Sequence, residues 1–203
     1  MIALVRQTRT NQYTVNALTA ILGACGVPWE VHAAPAALWA AARRAAGRGA
    51  RVLTLYSFTT PQLREVREEV HRAREAVPAL VLLAGGPHAS ADPDGTLALG
   101  FDYVFAGEAE ELLPPFLAAG GEGARVVVGA GGVPLDAYPP FGEGRYGPVE
   151  ITRGCAFGCG FCAVGGRRPR HRSASSILEA LEALRALGRP QLSCVTPDAL
   201  SYG

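Results

Sequence analysis

The sequence predicts an α/β protein built on a doubly wound parallel sheet, with a second, shorter unit after it. Short apolar runs alternate with stretches of helical periodicity across the first 120 residues, the pattern of βαβ units with right-handed crossovers. The runs are apolar from end to end, as strands covered on both faces require. Glycines and prolines stand between them, where the chain has to turn.

The elements follow in order. Ile2 to Val5 reads as a strand. Tyr13 to Ala24 reads as a helix, with Val15, Leu18, Ile21 and Leu22 at helical spacing and Gly26 and Pro28 ending it. Trp29 to His32 is a short strand and Ala36 to Ala46 an Ala-rich helix ended by Gly47 and Gly49. Arg51 to Phe58 is a strand around Val52, Leu53 and Leu55. Thr60 is placed to cap the next helix, with Pro61 at its first position. That helix gathers Leu63, Val66, Val70 and Ala73 on one face, and Pro78 stops it. Leu80 to Ala84 is the most apolar strand and runs into Gly85-Gly86-Pro87-His88. Thr96 to Leu99 is a short helix and Tyr103 to Ala106 a strand. Glu108 to Ala119 is a helix whose acidic start suits the helix dipole, interrupted by Pro114 and Pro115 and therefore expected to kink. Arg125 to Val128 is a last edge strand. Residues 1–130 thus form a doubly wound domain of five or six strands, whose ligand is expected at the carboxyl ends near the topological switch point.

Residues 131–147 are rich in Gly and Pro and lack periodicity, which reads as a linker. Residues 148–203 form the second unit. Pro148 to Thr152 is a strand, followed by a Cys-rich loop. Ser176-Ile-Leu-Glu179 reads as a capping box opening a helix with Ile177, Leu178, Leu181 and Leu184 inward. Gly188 and Pro190 end it, and Gln191 to Val195 begins another strand.

Composition bounds the function. The chain has 203 residues, 49% hydrophobic and 18% charged, with a net charge of +1. That excludes a wholly disordered chain, and five Cys exclude a disulfide-stapled miniprotein. All 19 basic residues are Arg, so no lysine is present for a Schiff base or a P-loop. The abundance of Arg, Ala and Gly reads as codon bias, so the run Arg167-Arg168-Pro-Arg170-His-Arg172 is taken as a solvated loop near an anionic cofactor or substrate and not as a nucleic-acid site. No apolar run reaches the roughly 18 to 20 residues of a membrane helix, and the N-terminus lacks the basic start of a signal peptide. An odd Cys count with three crowded together fits a reducing compartment, and the cytoplasm is expected.

The chemical signal is Cys155-Ala-Phe-Gly-Cys159-Gly-Phe-Cys162, three thiols within eight residues among Gly154, Gly158 and Gly160. Thiolates hold iron–sulfur clusters. Glycines let a short loop curl until its sulfurs converge, and they let backbone N–H groups approach the cluster's negative charge. Three ligands leave one iron of a [4Fe–4S] cube open. The alternatives are buried structural cysteines, or a zinc site in a binding or interaction protein with His171 as fourth ligand. Cys25 and Cys194 are isolated and read as core residues, and His32 reads as structural.

The C-x3-C-x2-C spacing with Phe161 before the third Cys, in the context Glu150-Ile-Thr-Arg-Gly-Cys155, resembles the cluster loop of radical S-adenosylmethionine (SAM) enzymes. Arg172-Ser173, followed by Ser176-Ile-Leu-Glu, resembles the lead-in to the first barrel helix there. Gly85-Gly86-Pro87-His88-Ala89 and Gly100-Phe-Asp-Tyr-Val-Phe-Ala-Gly107-Glu108-Ala-Glu110 resemble the cobalamin-binding, Rossmann/flavodoxin-like domain that precedes the barrel in the B12-binding subfamily. The two resemblances cover nearly the whole chain.

The resemblance implies that Cys155, Cys159 and Cys162 ligate a [4Fe–4S] cluster. SAM would chelate the open iron and be cleaved reductively, for methyl transfer or another radical reaction on a small-molecule or unknown substrate. Phe161 would lie near the adenine and Asp198 near the amino group, although no Gly-Gly-Glu stands there. It also implies an electron donor such as flavodoxin or ferredoxin. For cobalamin, Ser57, Gly85 and Gly86 fall where such a domain cradles the nucleotide tail, and they read equally as a tight strand-to-helix turn. His88 is either a ligand contact or a turn residue. The Asp-x-His-x-x-Gly loop that binds cobalt is replaced by Gln7-Thr-Arg-Thr-Asn-Gln. The tRNA methylthiotransferases share the architecture but carry three Cys in the first domain, where this chain has Cys25. About 55 residues follow Gly147, against the about 200 that a barrel of six or more βα units takes. The chain is therefore expected to be a fragment or a truncated form. Two outcomes follow from that expectation: a non-catalytic corrinoid-binding module, or an oligomer in which a second copy covers the incomplete barrel.

Overall fold

A computed structural model describes residues 1–143, 147–160, 162, 167–189 and 191–202. Its first part is one parallel sheet of six strands: β1 (Ile2–Arg6), β2 (Trp29–His32), β3 (Val52–Ser57), β4 (Val81–Gly85), β5 (Tyr103–Ala106) and β6 (Val126–Val128). The spatial order is β2-β1-β3-β4-β5-β6, every neighbouring pair parallel. The order reverses between β1 and β3, which is the switch point of a doubly wound sheet.

Helices cover both faces. On one side lie α1 (Gln12–Ala24) and α6 (Ala109–Ala118), packing Val15, Ile21, Leu22, Leu113 and Phe116 against Val5, Leu53, Leu55 and Phe105. On the other lie α2 (Pro35–Gly47), α3 (Leu63–Ala76), α4 (Pro87–Ala91) and α5 (Pro93–Ala98), over Leu4, Tyr56, Leu82 and Val104. Burial on both faces is why β3 is buried at all six of its residues and reads as a continuous apolar run. Arg6, at the carboxyl end of β1, is itself buried and donates from Nε to Glu69 on α3 at 2.8 Å. A buried ion pair of this kind is destabilising when either partner is lost alone.

Several boundaries differ from the sequence reading, each for a local reason. The turn before α3 is capped by Thr59 and not Thr60: the Thr59 N–H donates to Gln62 Oε1 at 3.0 Å, and a short 3₁₀ turn, Thr60–Gln62, precedes α3. Asp92 caps α5, accepting from the Gly95 N–H at 2.9 Å, and α4 precedes it as a separate turn of helix. Helix α6 runs unbroken through Pro114 and Pro115, where two backbone donors are simply absent. Cys25, expected in the core, is exposed at the end of α1.

The second part contains β7 (Val149–Glu150), β8 (Thr152–Cys155), β9 (Arg167–His171), α7 (Ala174–Ala186) and β10 (Cys194–Val195). β7 pairs in parallel with β10, and β8 pairs antiparallel with β9. The predicted single strand 148–152 is therefore two short strands. The arginine run expected to be a solvated loop is the returning strand of a hairpin, with Arg172 buried and donating to the carbonyls of Glu150 and Tyr138. Helix α7 starts earlier than expected: Ser173 accepts from the Ser176 N–H, so Ser173 is the cap. Leu184 is buried as expected, whereas Leu178 is exposed and Ala180 takes an inner position. Cys194 is exposed on β10. Residues before β7 lie against the sheet domain. Leu135 is buried, and a Cβ on Gly142 would come within 2.8 Å of the Thr19 backbone. Among the described residues no helix is long and apolar enough to cross a membrane.

Candidate functional site

The carboxyl ends of β3, β4 and β5 open into a cavity of about 240 Å³ on the α1–α6 side of the sheet. Its apolar wall comes from Leu18, Leu55, Leu83, Phe105 and Leu113, the upper part of the core on that face. At its mouth Ser57 ends β3, Gly85 ends β4 and Gly86 follows it. A Cβ built on Gly86 would lie 2.5 Å from Ser57 Oγ and 3.1 Å from the Phe58 backbone nitrogen, and its φ of +88° is in the region that favours glycine. The two strand ends are therefore as close as they are because position 86 carries no side chain. Among the described residues, Phe105 O at 3.8 Å is the one atom within 4 Å of a Cβ built on Gly85, which leaves the glycine surface open to the cavity.

Asn11 ties this rim to the first strand. Its side chain is buried, donates to the Arg6 and Ser57 carbonyls at 3.0 Å each, and accepts from the Thr8 N–H at 2.7 Å. His88 stands beside the site and is not among the cavity's lining residues. It is buried, shares a 3.0 Å hydrogen bond with Thr60 Oγ1 through Nδ1, and rests on the Phe58 ring at 5.3 Å. His32 is drawn to Glu30 at 3.0 Å on the edge strand β2.

The β8–β9 hairpin roofs the cavity, contributing Arg153, Gly154, Arg167 and Arg170 to its lining. It is held there by carboxylates from the segment after β5. Arg153 reaches Glu110 at 2.8 Å, Glu150 at 2.5 Å and Glu108 at 3.5 Å. Arg170 pairs with Glu108 as well and donates to the Val133 carbonyl. These five side chains are largely buried. Burial works to raise the Glu110 carboxyl, but the hydrogen bond and charge of Arg153 hold it below its ordinary value. Burial likewise works to lower the Arg153 guanidinium, and its bonds to Glu150 and Glu110 raise it instead, so it stays charged. The sequence suggests a helix-dipole role for the acidic start at Glu108 and a solvated loop near an anionic ligand for Arg170, and it gives Glu150 and Arg153 no individual role. Glu150 and Arg153 are three residues apart, but the pairing of Arg153 and Arg170 with Glu108 and Glu110 is long-range, and nothing in local spacing signals it.

Cys155 closes β8, next to Gly154. Gly154 has a φ of +87°, and a Cβ there would meet the Arg168 carbonyl at 2.7 Å, so the strand can bulge at this point only with glycine. Cys155 and Cys162 are half-buried, Cys159 is exposed, and all three are free thiols. Their donor chemistry suits a thiolate-held cluster. Among the described residues, however, no group of three or more His, Cys, Asp or Glu side chains is brought together closely enough to hold a metal ion. His171, the alternative fourth ligand, shares Nδ1 with Thr152 Oγ1 at 3.0 Å and packs edge-on to Tyr202. Asp198 caps a short turn, accepting from the Leu200 N–H at 3.1 Å. Phe161 lies outside the described residues.

The B12 binding domain family model matches residues 2–117. The chain belongs to that family, and its six-stranded parallel sheet is the family's Rossmann-like fold. An uncharacterized methyltransferase of Synechocystis, sll1242, is 32% identical over 126 aligned positions, covering 53% of this chain and 22% of the relative. The solved structure of the cobalamin-dependent S-adenosylmethionine radical enzyme OxsB, with aqua-cobalamin and S-adenosylmethionine bound, is similar over 94% of this chain and 32% of its own. The TM-score is 0.66 and the identity 13%, a likeness of fold. The N-terminal domain of the hypothetical protein TM0182 from Thermotoga maritima is 44% identical over 38% of this chain and 61% of its own, with a TM-score of 0.35. This chain thus spans about a fifth of the length of the Synechocystis relative.

Proposed function

We propose that this chain carries the cobalamin site and the cluster-binding loop of a cobalamin-dependent radical SAM protein acting in methyl transfer or a related radical reaction. The observation that carries the reading is the cavity at the ends of β3, β4 and β5, roofed by the hairpin whose first strand ends in Cys155. Ser57, Gly85 and Gly86 would hold an arm of the corrinoid: the glycines allow backbone approach, Ser57 offers a hydroxyl, and Leu55, Leu83 and Phe105 exclude water. About 240 Å³ suits one arm of such a molecule and not the whole. His88 turns Nδ1 to Thr60 and is not among the lining residues of the cavity, so on this reading it serves the turn. Cys155, Cys159 and Cys162 would hold the cluster, with SAM near Phe161 and Asp198. When bound, these groups supply an electron for SAM cleavage and a carrier for the methyl group. On this reading residues 1–130 are the corrinoid domain, 131–147 connect, and 148–203 begin the barrel. The electron donor would be a flavodoxin or ferredoxin, the substrate a small molecule, and the compartment the cytoplasm.

The family match to the sheet domain alone, residues 2–117, supports a second reading, a corrinoid-binding module without cluster chemistry. One experiment distinguishes the two. The protein is incubated with hydroxocobalamin and desalted, then reconstituted anaerobically with iron and sulfide and given SAM and a reductant. Retained cobalamin, about four irons per chain and formation of 5′-deoxyadenosine or S-adenosylhomocysteine are expected. Retained cobalamin without iron leaves the module. A colourless protein holding one zinc overturns both.

A further inference from the structure

The charged groups on the cavity rim belong to both halves of the molecule. Glu108 and Glu110 follow β5 and open α6, whereas Arg153 and Arg170 sit on the two strands of the hairpin, and all four line the cavity. The contacts are tight, with Arg153 Nη2 at 2.8 Å from Glu110 and 2.5 Å from Glu150. Side-chain exposures are low, 9% for Glu108, 11% for Glu110 and 21% for Arg153. Buried ion pairs hold only when each charge keeps its partners. A ligand arm entering the cavity therefore meets a cluster that must either keep its arrangement or rearrange as a whole. Arg153 is separated from Cys155 only by Gly154, itself part of the cavity lining with a φ of +87°. Both flanking residues are paired to β9, Arg153 with Arg170 and Cys155 with Arg167, so the guanidinium and the thiol stand on one hydrogen-bonded strand.

We propose that the Glu108–Glu110–Arg153 cluster couples occupancy of the cavity to the placement of the Cys155 thiol, with Arg153 as the positioning residue. The inference rests on the cobalamin reading above. Arg153 is singled out over Arg170 because it spans three carboxylates and precedes the thiol, while Arg170 lies on the returning strand and spends a donor on Val133. A planar guanidinium can hold several carboxylate oxygens at once, and a lysine ammonium in its place cannot reproduce that fork. Coupling between two sites is reciprocal. A corrinoid that fixes the hairpin favours assembly at the thiols, and a loaded thiol loop strengthens corrinoid binding by the same factor.

The test uses cyanocobalamin, which is inert toward thiols, and measures alkylation of each cysteine by iodoacetamide through peptide mass spectrometry. Cys25 and Cys194, both exposed, serve as internal references. In the wild-type chain, saturating cyanocobalamin is expected to slow alkylation of Cys155 about fivefold or more and to leave Cys25 unchanged. Arg153→Lys and Glu110→Gln are expected to bind cyanocobalamin more weakly yet, at saturation, to lose most of that slowing. The quantity read is the ratio of rates with and without ligand. A merely structural role would change both rates together and leave the ratio as in the wild type. Three results overturn the proposal: an undiminished ratio in the variants, no slowing in a wild-type chain that retains cyanocobalamin, or variants that hold no cyanocobalamin at any concentration, which would make Arg153 a binding residue. A wild-type chain that retains no cyanocobalamin overturns the cobalamin reading itself.

Discussion

Gly86 is where a single missing side chain matters most. Its φ of +88° and the 2.5 Å approach of a built Cβ to Ser57 Oγ mean that alanine there strains the backbone and pries β3 from β4. Gly86→Ala is expected to cost about 1 to 3 kcal/mol, read as a lowered midpoint in urea with unchanged slope, and to abolish cobalamin retention after desalting. Full retention in a destabilised variant would show that the mouth of the cavity is not the binding surface. At this scale the sequence was partly legible. Gly85, Gly86 and Ser57 stand out because a pair of glycines after a wholly apolar strand announces a turn with close approach. Asn11 was hidden, since its three hydrogen bonds reach across the chain to the end of β3 and leave no mark in local spacing. Cys25 and Cys194 looked like core residues because isolated cysteines usually are, but each falls at the outer edge of its element.

Among the elements, the hairpin β8–β9 is the part whose placement depends on charge. Glu110 has a folded pKa below its unfolded value because Arg153 stabilises the carboxylate more than burial penalises it. Such a group contributes its full stabilisation above the ordinary glutamate pKa of about 4.3, and the contribution is lost as pH falls through the lowered folded value. Amide exchange at residues 152–155 and 167–171, corrected for the intrinsic effect of pH, should therefore keep its protection from neutral pH down to about that value and lose it below. Protection in β1 and β3 should outlast it, because their core is apolar. Simultaneous loss in hairpin and sheet would mean that the clamp is not what holds the hairpin. The elements of the sheet domain were largely readable, since β-strands buried on both faces and amphipathic helices carry their periodicity in the chain. The hairpin was not. Its returning strand is Arg167-Arg-Pro-Arg-His171, polar by composition, and it becomes a strand only through pairing with β8 and with the carboxylate of Glu108, which stands at the N-cap of α6. Helix capping was misplaced by one position at Thr59 and three at Ser173, because neighbouring Ser and Thr residues compete for the role and backbone geometry decides.

For the whole molecule, the cavity makes ligand binding and stability one quantity. A corrinoid that binds only the folded state adds about 2.7 kcal/mol at a hundredfold excess over its Kd, which for a chain of this size raises Tm by roughly 5 to 10 °C. Differential scanning calorimetry with and without hydroxocobalamin reads this directly, and an unchanged Tm at saturating ligand would deny the site. The family and its sheet were legible from strand pattern and motif. The convergence of two segments about 45 residues apart, 108–110 and 150–153, on one cavity was not. It follows from packing of the second unit over the carboxyl ends, which only the folded chain displays.

The hairpin enters and leaves the cavity rim at Arg153 and Arg170, and both arginines close on the same carboxylate, Glu108. In engineering terms, Glu108 is a single post to which both strands of the hairpin are bolted. Exchange of Glu108 alone would take from Arg170 the carboxylate it pairs with, while Glu110 and Glu150 kept Arg153 in place.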